Sequence, residues 1–383
     1  MKNLSEAVTR KQDVQKLSDE KERIYTASQR QLIWWRFRRH KLAMTGAAVL
    51  IILYTLAIFC EFFSPYPVGL RHEGMEYAPP HKIRFVGPDG KLRGPFVYGL
   101  TRDRDPVTLR FIFTVDESRI YPIKLFVRGE PYELWGTFES DLHMFGTGTL
   151  EGPVFLFGTD KLGRDLFSRV LYGARLSLSI GLVGVFLTFV LGLAIGGISG
   201  YFGGVIDEII QRLIDLLRSI PTVPFWMALS AALPRDWPVV KMYFGITILL
   251  SVIGWTGLAR VVRGKLLSIR EEDFVLASEL VGANEAHIIS RHLLPSFTSH
   301  IIVSITLSIP NMILGETALS FLGLGLQPPA VSWGVLLRDA QKVVEVAHHR
   351  WLLIPCLFVI VAVLMFNFLG DGLRDAADPY ARG

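Results

Sequence analysis

Apolar residues in this chain are gathered into long runs instead of being spread evenly along it. Six runs stand out: Leu42 to Phe63, Leu176 to Ile198, Ile220 to Leu233, Phe244 to Val262, Ile301 to Leu326 and Trp351 to Leu369. Crossing about 30 Å of hydrocarbon at about 1.5 Å per residue takes roughly 20 residues, and most of the runs approach that length. The third is the shortest and carries Pro221 and Pro224. The pattern predicts an all-α polytopic membrane protein with six transmembrane helices. Composition agrees: half of the 383 residues are hydrophobic and mean hydropathy is +0.38. A soluble chain of this length would more often form two domains with a negative value.

The polar stretches organise the rest. Residues 1–30 are charged and lack an apolar face long enough to fold alone. "RQLIWWRFRRHKLAM" then interleaves Trp34, Trp35 and Phe37 with Arg36, Arg38, Arg39 and Lys41. This suits an interfacial helix, with rings at headgroup depth and cations against anionic lipid. The run after it starts too late and is too long for a cleavable signal peptide. The cations place the N-terminus in the cytoplasm, and six crossings return the C-terminus to the same side. The expected order is 1–41, tail and interfacial helix; 42–63, first span; 64–173, an extracytoplasmic insert; 174–375, a five-helix core with a cytoplasmic loop at 263–296; and 376–383, a cytoplasmic tail. Within the insert, "IRFVGPDGKLRGPFVYG" reads as a hairpin about Pro88-Asp89-Gly90, and "LRFIFTV" and "YPIKLFVRG" read as further strands. A small β-rich insert serving as a cap or docking surface follows, with a ligand-facing role as the other option.

Net charge is +5. Lys and Arg flanking the spans explain that balance better than nucleic acid does. Cys60 and Cys356 both lie in apolar runs and read as small buried hydrophobes. His348-His349 lacks a third ligand at metal-binding spacing.

The segment "ASELVGANEAHIISRHLLP", 277–295, is too polar for lipid and too patterned for a plain connection. Glu271, Glu272 and Asp273 suit a helix N-terminus, "FVLASELV" reads as a short helix, and Gly282 can close it in the left-handed conformation. Asn284 would cap a second helix that Pro295 stops. Small Ala277 and Ser278 would let another protein approach closely. The segment reads either as a lever gripped by a partner or as an ordinary surface helix pair.

Small residues, a Gly four positions on, and Leu-Pro at fixed distance resemble the coupling loop of ATP-binding-cassette (ABC) importer permeases, with Leu276 replacing the first Glu of that pattern. "FGTDKLGRDLFSRVLYGARLSL", "GYFGGVIDE", "GETALSFLGLGLQPPAVSWG" and "NFLGDGLRDAADP" resemble, in particular, the second permease subunit of oligopeptide and dipeptide (or nickel) importers. The similarity covers nearly all of 31–383 except about 66–150. It implies a type I ABC importer permease fold in a bacterial cytoplasmic (inner) membrane. It also implies a homologous second permease, two cytoplasmic ATPase subunits carrying ATP and Mg, and an extracytoplasmic solute-binding protein. Ala277, Ser278, Glu279, Gly282, Ala283, Asn284 and Pro295 would form the ATPase-coupling loop. No cofactor is expected on this chain: at Gly264-Lys265, Ala259 stands where a phosphate-binding loop needs Gly, and Leu266 follows the Lys. The chain is therefore expected not to be an enzyme. An ion-gradient-driven secondary transporter is the alternative, and it would show inverted repeats and mid-membrane charges. A membrane-embedded enzyme lacks its motifs here.

Glu316 is an acid within an apolar run, so it is expected to form a pair or to serve function. It either holds packing together or lines or gates the outer pathway. Gly158-Thr159-Asp160 and Gly163-Arg164-Asp165 suggest an ion-pair turn or a contact for the binding protein. Asp207, Arg212, Asp215 and Arg218 read as a solvated, paired helix surface.

Overall fold

A computed structural model describes residues 28–87, 92–106, 111–149, 151–269, 272–282 and 298–377. Helix α1 (Gln29–Arg39) starts at a reciprocal cap between Ser28 and Gln31. It is followed by α2 (Lys41–Ile58) and the single turn α3 (Cys60–Phe63). After the insert come α4 (Leu166–Phe202), α5 (Gly204–Ser219), α6 (Thr222–Ala231), α7 (Val239–Ile269) and α8 (Asp273–Leu280). Helix α9 (Thr298–Phe321), the short α10 (Trp333–Leu337) and α11 (Val343–His348), and α12 (Ile354–Ala377) complete the order.

Among the described residues, five helices have the length and apolarity to cross a membrane: 41–58, 166–202, 239–269, 301–321 and 350–377. The third apolar run is not a sixth helix of that kind. It forms the ten-residue α6, which rises only about 15 Å. Pro221, which has no N–H, caps it and separates it from α5. Other boundaries also move. Helix α4 begins at Leu166, inside the stretch assigned to the insert, and α12 continues through Ala377, past the expected start of the tail.

Direction is set by the contacts. Ser251 Oγ donates to the Gly184 carbonyl at 3.0 Å, while Gly192 faces Leu258 and Gly200 faces Arg263. So α4 and α7 run parallel. The stripe Gly192, Gly196, Gly200 makes this possible: a Cβ on Gly196 would lie 2.5 Å from the Ala259 carbonyl oxygen. Small residues four apart let backbones meet where lipid supplies no hydrophobic drive. Two parallel helices need a return between them. Helices α5 and α6 provide it, following α7 backwards: Asp207 meets Arg263, Ile214 packs with Trp255 and Ala259, and Leu233 approaches Gly245. Helices α2 and α12 are antiparallel, with Ala43 against Gly372 and Gly46 against Met365. One end of the bundle therefore collects Lys41, Phe202, Ile269 and Ala377, here the elbow end. The other collects Ile58, Leu166, Val239 and Phe321, here the insert end.

Helix α1 packs on the elbow end of α12. Trp34 and Trp35 are exposed, whereas Phe37 is buried with Ala43 and Ala376.

The insert contains β1 (Arg84–Val86), β2 (Leu92–Arg104), β3 (Phe111–Pro122), β4 (Lys124–Leu134) and β5 (Phe138–Gly146). These form an antiparallel sheet in the order β1-β2-β3 and a separate β4-β5 hairpin. The expected single strand over Tyr121–Gly129 is divided at Ile123, between Pro122 at the end of β3 and the start of β4. Strand β5 was not anticipated. The turn expected at Pro88-Asp89-Gly90 lies outside the described residues.

Candidate functional site

At the elbow end, the Glu272 N–H donates to the Ile269 carbonyl at 3.0 Å, and α8 places Val275 in the cluster with Leu266 and Ile301. Its last turn closes with the Val281 N–H donating to the Ala277 carbonyl at 3.2 Å. Gly282 has φ +84°, the left-handed conformation that a residue closing a helix adopts. Ala277 is exposed, Ser278 is half-buried, and Leu280 and Val281 are each 89% exposed. Glu279 lies on α8. Ala283, Asn284 and Pro295, with the second helix expected there, lie outside the described residues.

Glu316 lies on α9 near the insert end and is fully buried. Its Oε1 accepts from Ser320 Oγ at 2.8 Å and Ser332 Oγ at 2.6 Å, and its Oε2 accepts from Ser177 Oγ at 3.1 Å. Each serine in turn accepts a backbone N–H: Leu326 on Ser320 (2.9 Å), Val335 on Ser332 (3.2 Å) and Trp333 on Ser177 (3.1 Å). One carboxyl thus fixes the rotors of three hydroxyls and, through them, the 326–335 segment against α4 and α9.

A cavity of about 470 Å³ opens between α4, α6, α7 and α9, lined by Thr188, Trp226, Gly254, Ser308, Asn311 and Met312 among others. Thr188 and Asn311 lie near the middle of their helices. Pro310 beside the cavity cannot donate a helix bond. The hydroxyl of buried Thr188 and the indole N–H of Trp226 have no hydrogen-bond partner among the described residues. Buried polar atoms are normally paired, so this cavity keeps unmet donors at mid-helix depth.

Charges flank the bundle as paired groups. At the elbow end, Asp207 and Asp215 of α5 pair across to Arg263 and Arg260 of α7, a different arrangement from pairing within their own helix surface. Arg212 does meet Glu208 on α5, at 3.9 Å. At the insert end, Asp160 accepts from the Leu162 and Arg164 N–H groups and from Arg164 Nε at 2.7 Å, with Arg169 Nε 3.5 Å away. Gly158 and Gly163 both take positive φ in this turn. Asp165 caps α4, its Oδ2 accepting from Ser168 N and Oγ at 2.7 Å each. Burial pushes its carboxyl up to about 7.

One ion pair escaped the sequence reading. Arg175 Nη1 donates to Glu61 Oε1 at 2.6 Å, its Nε to the Ala57 carbonyl at 3.0 Å and its Nη2 to the Ile58 carbonyl at 2.7 Å. Opposite charges at the edges of two apolar runs, Glu61 within the first and Arg175 just before the second, were the available signal. The two histidines at 348–349 gather no metal set: among the described residues no three potential ligands cluster. His349 stacks on Tyr77 at 4.2 Å.

Similarity to known proteins follows these features. A family model described as "Binding-protein-dependent transport system inner membrane component" matches residues 192–383. A second, "N-terminal TM domain of oligopeptide transport permease C", matches residues 28–80. The dipeptide transport permease DppC of Bacillus subtilis is 42% identical over 226 residues, 59% of this chain and 69% of that one. The oligopeptide transport permease OppC of Haemophilus influenzae is 40% identical over 263 residues, 68% of this chain and 82% of its own. DppC of Lactococcus lactis subsp. cremoris is 31% identical over 349 residues, 91% of this chain and 90% of its own. Among solved structures, the inward-facing methionine ABC transporter MetNI aligns with a TM-score of 0.44 at 20% identity, covering 54% of this chain and 95% of that one. The chain belongs to the binding-protein-dependent transport permeases. It is a membrane-embedded permease subunit of an ABC importer, a transport component and not an enzyme.

Proposed function

We propose that this subunit forms half of a pathway for peptides or similar small solutes, with a homologous second permease forming the other half. Relatives named for dipeptide and oligopeptide transport support the solute class. In this reading, separate cytoplasmic ATPase subunits hold ATP and Mg and grip the elbow at 277–295, and a solute-binding protein delivers from outside. The observation that carries the pathway is the mid-helix cavity with the unmet donors of Thr188 and Trp226. Peptide groups are suited to such donors.

The chain crosses a bacterial inner membrane six times in this proposal, in a type I importer fold. Helices α5 and α6 together make the third crossing, supported by the parallel course of α4 and α7. Arg36, Arg38, Arg39, Arg263 and Lys265 lie toward the elbow end, which puts both termini in the cytoplasm and the insert outside.

Two variants in the reconstituted transporter test the reading. Asn311→Trp should fill the cavity and abolish transport while the ATPases still copurify; transport at the wild-type rate overturns the pathway assignment. Gly282→Val forces a β-branched residue into the left-handed region at about 1–2 kcal/mol, and Ala277→Arg crowds the exposed face of α8. Both should insert normally and lose ATPase association or substrate-stimulated hydrolysis. Wild-type stimulation in both would exclude the segment as the coupling element.

A further inference from the structure

Strands β4 and β5 form a two-stranded hairpin whose tip reaches the end of the first span. The tip is a tight turn in which Trp135 (φ +54°) and Gly136 (φ +69°) are both left-handed, with the Thr137 N–H donating to the Leu134 carbonyl at 3.1 Å. Such turns favour Asn-Gly, so an indole at the first position is unusual. The left-handed backbone brings the Trp135 ring to 5.5 Å from Phe59, and its Nε1 donates to the Ile58 carbonyl at 2.8 Å. Ile58 is the last residue of α2. The final carbonyls of a helix have no partner within it. Here those of Ala57 and Ile58 are met by Arg175, and that of Ile58 also by Trp135. The hairpin tip is therefore pinned at the depth where the first span ends.

The two faces of β5 differ in chemistry. On one side Glu139 and Asp141 alternate with His143 and Phe145. His143 Nδ1 lies 2.5 Å from the Ser64 carbonyl, and Phe145 packs on Phe167. On the other side Phe138, Leu142 and Met144 are exposed, Phe138 at 63%, and Trp135 at the tip is 50% exposed. The cross-strand neighbours on that apolar side include Arg128 opposite Leu142 and Lys124 opposite Gly146, whereas Glu133 lies opposite Glu139 on the acidic side. The apolar face is continuous with the exposed Ile58 and Phe59 of the span end.

We propose that the β4-β5 hairpin lies on the bilayer as an interfacial anchor: Trp135, Phe138, Leu142 and Met144 enter the headgroup and acyl boundary of the outer leaflet, with Arg128 and Lys124 beside lipid phosphates. The proposal rests on Lys41–Ile58 crossing the membrane. Three observations select lipid as the occupant. The tip is hydrogen-bonded to the terminal carbonyl of a span, aromatic side chains are concentrated at that depth, and Lys124 and Arg128 flank the apolar face, Arg128 staying 85% exposed although its Nε also lies 3.9 Å from Asp141. The insert thus gains a second attachment to the membrane besides its chain ends, which fixes its tilt over the bundle.

Spin labels in the complete transporter, with Cys60 and Cys356 replaced by alanine, test the anchor in nanodiscs of phosphatidylethanolamine and phosphatidylglycerol. Labels at Phe138→Cys, Glu139→Cys, Asp141→Cys and Leu142→Cys report collision with oxygen, which concentrates in lipid, and with a nickel chelate, which stays in water. The oxygen-to-nickel ratio should alternate, several-fold higher at 138 and 142 than at 139 and 141. A label at the exposed span position Ile52→Cys separates the two levels of the reading: a water-like ratio there sinks the crossing itself. With a lipid-like ratio at 52, equal nickel access at all four hairpin sites overturns the anchor. So does exclusion of both reagents from 138 and 142 that is relieved when the solute-binding protein is omitted, because a protein then covers the face.

Discussion

Replacing Glu316 isolates the worth of a single buried carboxyl. Glu316→Leu removes the acceptor for Ser177, Ser320 and Ser332 while leaving all three hydroxyls buried. Polar contacts between membrane helices average about 0.6 kcal/mol and reach about 1.7. In water-soluble cores an orphaned buried hydroxyl costs about 1–3 kcal/mol. Three such contacts give a loss of about 2–5 kcal/mol, and the 326–335 segment should loosen because its N–H groups rely on serines held by Glu316. Glu316→Gln keeps one carbonyl acceptor for Ser320 and Ser332. Its amide can donate to Ser177, so its loss should be about 1 kcal/mol. The assay is reversible unfolding in mixed micelles of dodecyl maltoside and dodecyl sulfate, read beside copurification of the second permease and transport in vesicles. The packing reading predicts a stable, transporting Gln variant and a weak Leu variant. A Leu variant as stable as wild type refutes it, and so does a Gln variant that assembles fully without transporting, since the charge would then act on the solute.

Burial holds both His72 and His81, where the insert joins the bundle, down to about 4 from 6.5. Their neutral forms are needed, so the stability they contribute is full above pH 6.5 and is lost as pH falls toward 4, by roughly 3 kcal/mol each at most. Asp165 has the opposite sign, its carboxyl raised from 3.8 to about 7, so it destabilises as pH rises between those values. Two histidines outweigh one aspartate, so the melting temperature should drop from pH 6.5 to 4.5, and Asp165→Asn, which removes the opposing gain, should steepen that drop; a melting temperature that rises on acidification contradicts the assignment. For orientation, Ala376 is buried but neighbouring Asp375 has a side chain 65% exposed. Asp375→Cys and Leu280→Cys should react with impermeant thiol reagents only from the cytoplasm, and Glu117→Cys only from outside. Reaction of the cysteine at 280 in intact cells would reverse the proposed topology.

The long spans were legible because hydrocarbon imposes both length and apolarity on a crossing helix, and few soluble patterns imitate that. What stayed hidden was polar matter inside helices. Leu166 to Arg175 carries Arg169 and Arg175 and so reads as a loop, yet it is the first part of α4: Asp160 and Glu61 lie against those cations. Helix α5 reads as a solvated helix surface because Asp207 and Asp215 interrupt its apolar residues, and their partners Arg263 and Arg260 lie more than forty residues away. Charge paired across helices looks, in one dimension, the same as charge in water. Strand β5 had a signal, since Phe138, Leu142 and Met144 alternate with Glu139, Asp141 and His143. Its turn is Trp-Gly and not Asn-Gly, and that concealed the hairpin.

Glu316 marks the boundary between what one dimension carries and what it omits. An acid among apolar residues is visible at once, and Ser320, one helical turn on, could be inferred as a partner from spacing alone. Ser332 is 16 residues away and Ser177 is 139 residues away; neither follows from any local rule. Yet those two decide the side chain's part in the fold. With Ser320 alone, Glu316 would be a buried acid with one local bond, free to serve a pathway. With all three, its acceptor capacity is directed into hydroxyls that themselves hold backbone N–H groups, and it is not itself among the residues lining the mid-helix cavity, although its neighbour Gly315 is. The unmet donors among the described residues that line the cavity are on Thr188 and Trp226, two residues with no charge to draw attention. In a chain that lives in lipid, the conspicuous ionisable residue can be fully engaged in holding helices together, while the capacity to meet a solute rests with neutral polar atoms that have nothing else to bind.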